Sequence, residues 1–246
     1  MRALAVIPAR LASTRLPEKP LVEVGGKPLV LRVLEQVRRC GKVDRVIVAT
    51  DSERIADVVV LNGGEAVMTP EDLKSGGDRV AFVAAGHPEA EIVLNVQVDD
   101  PLVGPDMIDP LIAALEADPQ VRLALLAKKI EKEEEIASPN IVKMVFDRNG
   151  KALYFSRSPI PYPRNPGAVY YKHIGPYAWR REFLLDFSRW DQTPLERVES
   201  LEMLRVLEEG YTIRCVETFR DTVEIDTPED VDALEQILAA EGGECS

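Results

Sequence analysis

The chain has 246 residues, 46% of them hydrophobic, with 42 acidic against 30 basic residues and a formal net charge of −12. That balance supports a sizeable core and argues against general nucleic-acid binding, which needs a basic face. No apolar run reaches the about eighteen residues of a membrane helix, the first residues lack a signal-peptide layout, and Cys40, Cys215 and Cys245 are too scattered for a disulfide framework or a zinc site. A cytoplasmic protein without membrane insertion is the expectation.

Ala3 to Ile7 is a short apolar run, suited to a strand buried on both faces of a parallel sheet. Pro8 and Pro17 then bracket a loop whose cations Arg10, Arg15 and Lys19 face a single acid, Glu18. Open α/β sheets bind ligands at the carboxyl ends of their strands, and the small Ala9, Ala12, Ser13 and Thr14 would let backbone N–H groups approach an anion. The stretch reads as a cradle for a nucleoside triphosphate, with an ordinary solvated basic loop as the alternative.

Leu29, Val30, Val33, Leu34 and Val37 recur at helical spacing and predict a helix that stops near Gly41. Arg45 to Ala49 reads as a second strand, Asp51 or Ser52 as the cap of a helix ending at Asn62-Gly63-Gly64, and Glu65 to Met68 as a third strand. Thr69 to Arg79 reads as a loop leading into a helix with Val80 and Val83. Glu91 to Val96 is the next strand, followed by a helix from about 106 to 116 and a strand from Val121 to Ala127. This alternation predicts right-handed crossovers and a parallel sheet.

After about residue 130 the pattern changes. Ile141–Asp147 and Ala152–Phe155 are strand-like and joined by Arg148-Asn149-Gly150, a hairpin signal. Ser158 to Gly167 carries four prolines and reads as a loop, and His173 to Trp179 as a strand. Helices are predicted over about 181–190 and as one continuous element over about 194–209, then a strand over 212–217. Thr227 and Pro228 open a last helix. The expectation is a single α/β domain over residues 1–246, Rossmann-like and mostly parallel, with about 1–130 and 205–246 forming the nucleotide-binding sheet and about 131–204 a smaller antiparallel insertion.

Neither G-x-G-x-x-G, the P-loop motif nor G-x-S-x-G is present, and the only histidines are His87 and His173. What remains is the basic loop, an acidic strand end and Asp226. Asp99 and Asp100 follow a parallel strand, where a carboxylate suits Mg²⁺. Asp226 reads equally as a second ligand or as a helix-capping acid. Ser75-Gly76-Gly77-Asp78-Arg79 offers backbone hydrogen bonds at a helix entry, and Arg157 and His173 flank the proline loop, where a satisfied strand histidine is the plainer reading of His173.

Together these motifs resemble one family. IPARLASTRLPEKPL with GKPL, VIVATD, MTPEDLKSG with DR, NVQ-x-D-x-P, KALYFSRSPIP, KHIG-x-Y, LE-x-x-E-x-LE-x-LR and IDTPED follow in order along the chain, and the sequence is identified as a member of the sugar-acid cytidylyltransferases. The resemblance implies a nucleotide-diphospho-sugar transferase fold and a Mg²⁺-dependent homodimer, with residues about 131–204 serving sugar binding and dimerisation. The implied reaction moves CMP from CTP to the anomeric hydroxyl of an eight-carbon 3-deoxy sugar acid, 3-deoxy-D-manno-octulosonate, for lipopolysaccharide-type sugar biosynthesis. Carried onto this sequence, it assigns Arg10, Lys19 and Asp99 to catalysis and Pro8, Ala9, Arg10, Arg15, Lys19, Ser75, Gly76, Arg79 and Gln97 to the nucleotide. Asp99 and Asp226 are assigned to the metal, and Arg157, His173, Tyr177, Glu199 and Glu202 to the sugar. The chain departs from the family at Val98 and Glu224, where glycine is usual, at Gly77, where threonine or serine is usual, and at Asp100, where glutamate is usual. A nine-carbon sugar acid as acceptor, or a chain that binds CTP without catalysis, are the alternatives these departures leave open.

Overall fold

The computed structural model describes residues 2–12, 16–73 and 75–243. The chain falls into two compact units, residues 1–105 with 222–246, and residues 106–221.

In the first unit, β1 (Ala3–Ala9) is buried at all seven positions. A short 3₁₀ turn (Lys19–Leu21) and the two-residue strands β2 (Glu23–Val24) and β3 (Lys27–Pro28) lead into α1 (Leu29–Arg38). There follow β4 (Arg45–Thr50), α2 (Glu53–Leu61), β5 (Ala66–Met68), α3 (Gly76–Ala85) and β6 (Ile92–Asn95). The long strands pair in parallel, β1 with β4 and β6, and β4 with β5, in the order β6-β1-β4-β5. From β1 the chain builds outward through β4 to β5, then returns to place β6 on the other side of β1. That reversal opens a crevice at the carboxyl ends of β1 and β6, the place where open α/β sheets receive ligands. The helix after β5 begins earlier than the sequence predicts. Ser75 Oγ accepts the Asp78 N–H at 3.1 Å and Asp78 accepts the Ser75 N–H at 3.0 Å, a reciprocal cap that draws Gly76 and Gly77 into α3.

The second unit holds α4 (Pro105–Ala117, from its second residue), β7 (Leu123–Lys129), α5 (Glu133–Ala137), β8 (Lys143–Phe146), β9 (Ala152–Ser156), β10 (Tyr171–Arg180), α6 (Arg181–Phe187), α7 (Pro194–Glu199), α8 (Glu202–Glu208) and β11 (Ile213–Thr218). Pairing here is mainly antiparallel, β10 with β7 and β8, and β8 with β9, with β11 parallel to β7. Residues 106–130 and 205–221 fall within this second unit.

The single helix predicted over about 194–209 is two helices. Ser200 adopts a left-handed conformation (φ 53°, ψ 50°) and ends α7. Serine is no helix breaker, so composition carries no trace of this turn. Finally, α9 (Pro228–Gly243) returns to the first unit, where Leu234 joins Leu16, Val24, Leu29 and Ile225 in a buried cluster. Among the described residues no helix is long and apolar enough to cross a membrane.

Candidate functional site

A cavity of about 280 Å³ opens in the first unit where β1 and β6 end. Of the residues assigned to the nucleotide or metal, Pro8, Arg10, Lys19, Ser75, Gly76, Arg79, Gln97, Asp99 and Asp226 line it. Ala9, by contrast, is a fully buried strand residue, and Arg15 lies outside the described residues.

Lys19 is the centre of the cavity's charge. Its Nζ donates to Asp99 Oδ2 at 2.8 Å and to Asp226 Oδ1 at 2.7 Å, with only 12% of the side chain exposed. Burial opposes the ammonium, but the hydrogen bonds and charges of Asp226 and Asp99 outweigh it and raise the Lys19 pKa. Two anchors hold these groups in place. The buried Ile225 donates its N–H to the Asp99 carbonyl at 2.9 Å, tying the end of β6 to the chain before α9. The cap of α9 is made by Thr227 and Asp230, with Asp230 also accepting the Asp226 N–H at 3.0 Å. Asp226 is therefore spared capping and turns its carboxylate to Lys19. Val98 is buried and lines the cavity beside Asp99 without breaking the Asp99–Lys19 pair.

Around this centre, Arg10 is exposed and makes no ion pair among the described residues. The amino end of α3 faces the cavity through Ser75 and Gly76, and a helix amino end favours anions. A Cβ on Gly76 would lie 3.4 Å from Pro8 Cγ and 3.9 Å from Gln97 Oε1, so a side chain there would fill the cavity floor. Gln97 Nε2 donates to Asn95 Oδ1 at 2.9 Å.

Arg79, assigned as a nucleotide contact, lines the cavity from a buried position. It is 2% exposed, and its guanidinium is engaged by the Asp51 carboxylate, the Thr69 hydroxyl and the Pro70 carbonyl. Asp51 also accepts the Leu11 N–H at 3.4 Å, so the Arg79–Asp51 pair braces the loop after β1 from below. Asp51 ends a parallel strand as Asp99 does, and the same strand-end rule marks it in the sequence.

The residues assigned to the sugar lie in the second unit. Glu199 accepts from Ser156 Oγ at 2.6 Å and from the Arg157 N–H at 2.9 Å. The Arg157 guanidinium donates to the carbonyls of Glu199 (2.7 Å), Pro139 (2.9 Å) and Ser200 (3.4 Å). A guanidinium carries five donors, so two remain for a ligand. The His173 ring stacks on Tyr177 at 5.2 Å and meets Phe155 edge-on at 5.6 Å. Their register explains the stack: His173 pairs with Ala127 and Tyr177 with Leu125, so the intervening bulge makes them neighbours on one face of β10. Glu202 is exposed at the start of α8, in a cavity of about 410 Å³ shared with Gln192, Glu196, Arg197 and Ser200. Among the described residues the two non-glycine positions with left-handed backbone, Glu18 and Ser200, directly adjoin Lys19 and Glu199; strain held in place this way concentrates at functional sites.

His173 is no satisfied strand histidine. Its Nε2 is shielded and finds no hydrogen-bond partner among the described residues, and burial pushes its pKa down to about 4. The unfolded chain protonates this imidazole near pH 6.5. Between those two values it therefore binds more protons than the folded chain, and stability falls as pH drops through that window. The loss is at most about 3 kcal/mol. Urea midpoints at pH 7 and pH 4.5 should draw closer together in His173→Phe, and an unchanged spacing would count against the buried neutral ring.

A parallel α/β sheet whose switch-point cavity joins a lysine to two carboxylates defines a nucleotidyltransferase type of site. The comparisons place it more closely: the Cytidylyltransferase family model matches residues 4–237, and the chain belongs to that family. It is 47% identical to a 3-deoxy-manno-octulosonate cytidylyltransferase of Geobacter metallireducens, covering 97% of this chain and 98% of the relative. Identity to the protein of that name from Chloroherpeton thalassium is also 47%, over 97% and 98% of the two chains. A CMP:2-keto-3-deoxy-manno-octonic acid synthetase solved with CTP matches with a TM-score of 0.94 at 41% identity, over 98% of this chain and all of that one. The α/β architecture of this chain is that of the solved enzyme.

Proposed function

We propose that this chain transfers the cytidylyl group of CTP to the anomeric hydroxyl of 3-deoxy-D-manno-octulosonate, releasing pyrophosphate. The observation that carries the reading is the meeting of Lys19 with Asp99 and Asp226, residues 80 and 207 positions away, in one cavity at the switch point. The near full-length similarity to enzymes of that name supports the choice of sugar.

Arg10, Lys19 and Arg15 neutralise the triphosphate, and the amino end of α3 adds its backbone donors. Ser75, Gly76 and Gln97 border the nucleoside. Arg79 acts beneath it by holding Asp51 and the loop after β1. Two converging carboxylates are the oxygen donors that Mg²⁺ prefers, with phosphate and water filling its remaining positions. When bound, Mg²⁺ supplies positive charge at the reacting phosphate and lowers the pKa of the attacking hydroxyl. Arg157, His173, Tyr177, Glu199 and Glu202 receive the sugar acid, and no side chain is assigned as general base. A homodimer in the cytoplasm belongs to the same reading: the second unit leaves Leu153, Leu195 and Val198 exposed, apolar surface that a partner copy would cover.

Pyrophosphate release, measured with CTP and Mg²⁺ over a panel of sugar acids, tests the proposal. Turnover should be greatest with the eight-carbon 3-deoxy acid, by roughly tenfold or more in kcat/KM over nine-carbon acids, and EDTA should abolish it. Preference for a nine-carbon acid would move the substrate, and no release with any acid would end the reading.

A further inference from the structure

Lys143, at the start of β8, is fully buried, with none of its surface exposed. An ammonium in that setting normally sits against a carboxylate, yet Lys143 forms no ion pair among the described residues. Its Nζ donates instead to three backbone carbonyls: Ser138 at 2.6 Å, Ile141 at 2.7 Å, and Arg157. All three donors of the ammonium are used.

The geometry makes Lys143 a node between two segments that meet at Arg157. The peptide groups of Arg157 are held on both sides, its carbonyl by Lys143 and its N–H by Glu199 at 2.9 Å. The Arg157 guanidinium then reaches the Pro139 carbonyl at 2.9 Å, and Pro139 lies between Ser138 and Ile141, the other residues that Lys143 grips. A second buried lysine, Lys172, stands opposite Lys143 across the β8–β10 pair and holds Glu135 of α5 at 3.0 Å. The chain from α5 to β8 is thus pinned at both ends, and Lys143 sets its distance from the end of β9.

We propose that Lys143 is a positioning residue for the acidic sugar: without touching the substrate, it fixes where the Arg157 guanidinium sits. The inference rests on the reading of Arg157 as a sugar contact, and its test separates the two. KM for the sugar acid and for CTP are measured for Lys143→Met, Lys143→Gln and Arg157→Gln. Lys143→Met should raise the sugar KM about tenfold or more and leave the CTP KM within about twofold, with Lys143→Gln, which keeps two N–H donors, in between. If Lys143→Met fails to fold, Lys143→Gln carries the same comparison. A sugar KM unchanged in the Lys143 variants but raised in Arg157→Gln would overturn the role of Lys143 alone. Parallel rises in both KM values would overturn it too, since that marks a general scaffold residue. An unchanged sugar KM in Arg157→Gln would remove the contact itself, and the positioning role with it.

Discussion

Lys19→Met should lower turnover by about three orders of magnitude, because it removes the charge while keeping most of the volume. Deleting one preorganised donor at a developing negative charge typically costs about 10²–10³ in rate. Lys19 has a second task, since it is also the group on which Asp99 and Asp226 converge at 2.8 and 2.7 Å. Without the ammonium these two carboxylates face one another at the cavity floor. Lys19→Arg should rescue little, because a planar fork cannot replace a compact ammonium bridging two oxygens. Pyrophosphate release at saturating CTP is the measurement, with circular dichroism to verify folding. Activity within about tenfold of the unmodified chain would exclude Lys19 from the chemistry.

Asp99→Asn should be nearly as damaging, and for a distinct reason. The substitution conserves shape, and the link from Ile225 N–H to the residue-99 carbonyl at 2.9 Å is a backbone contact that survives it. The fold should therefore persist, with Tm shifted by only a few degrees. What disappears is half of the anionic pair available to a divalent ion. Turnover should fall by about 10³, and Mn²⁺ affinity in the presence of CTP, followed by electron paramagnetic resonance, should weaken by about tenfold or more. Near-normal affinity together with near-normal turnover would take Asp99 out of the metal role.

Much of the first unit can be read from the sequence because its signals are local. A buried first strand over Ala3 to Ile7, a cationic loop after it and a carboxylate after the apolar run at 91–96 each follow from a rule about parallel sheets. The position of Asp226 could be narrowed to two readings, and the Thr227–Asp230 cap decides where its carboxylate goes. The second unit is harder to read because its decisive contacts are long-range. Ser200 turns left-handed where the apolar pattern continues, and the carbonyls of Glu199 and Ser200 both accept from Arg157. Lys143 looks like any strand lysine until its three carbonyl partners are seen. For Arg79 the motif finds the residue but not its surroundings: the side chain that lines the cavity is 2% exposed and bonded to Asp51, a long-range contact that no local pattern announces.

The return of the chain after residue 222 to the first unit has a consequence for how the molecule comes into being. Synthesis proceeds from the amino end, so Lys19 and Asp99 emerge long before Asp226, with the whole second unit made in between. Until α9 docks and Leu234 seats against Leu16 and Leu29, Lys19 lacks one of its two anionic neighbours. A nascent or clipped chain ending near residue 221 would therefore hold every strand yet lack the Asp226 carboxylate beside Lys19, which makes completion of this centre one of the last events in the protein's assembly.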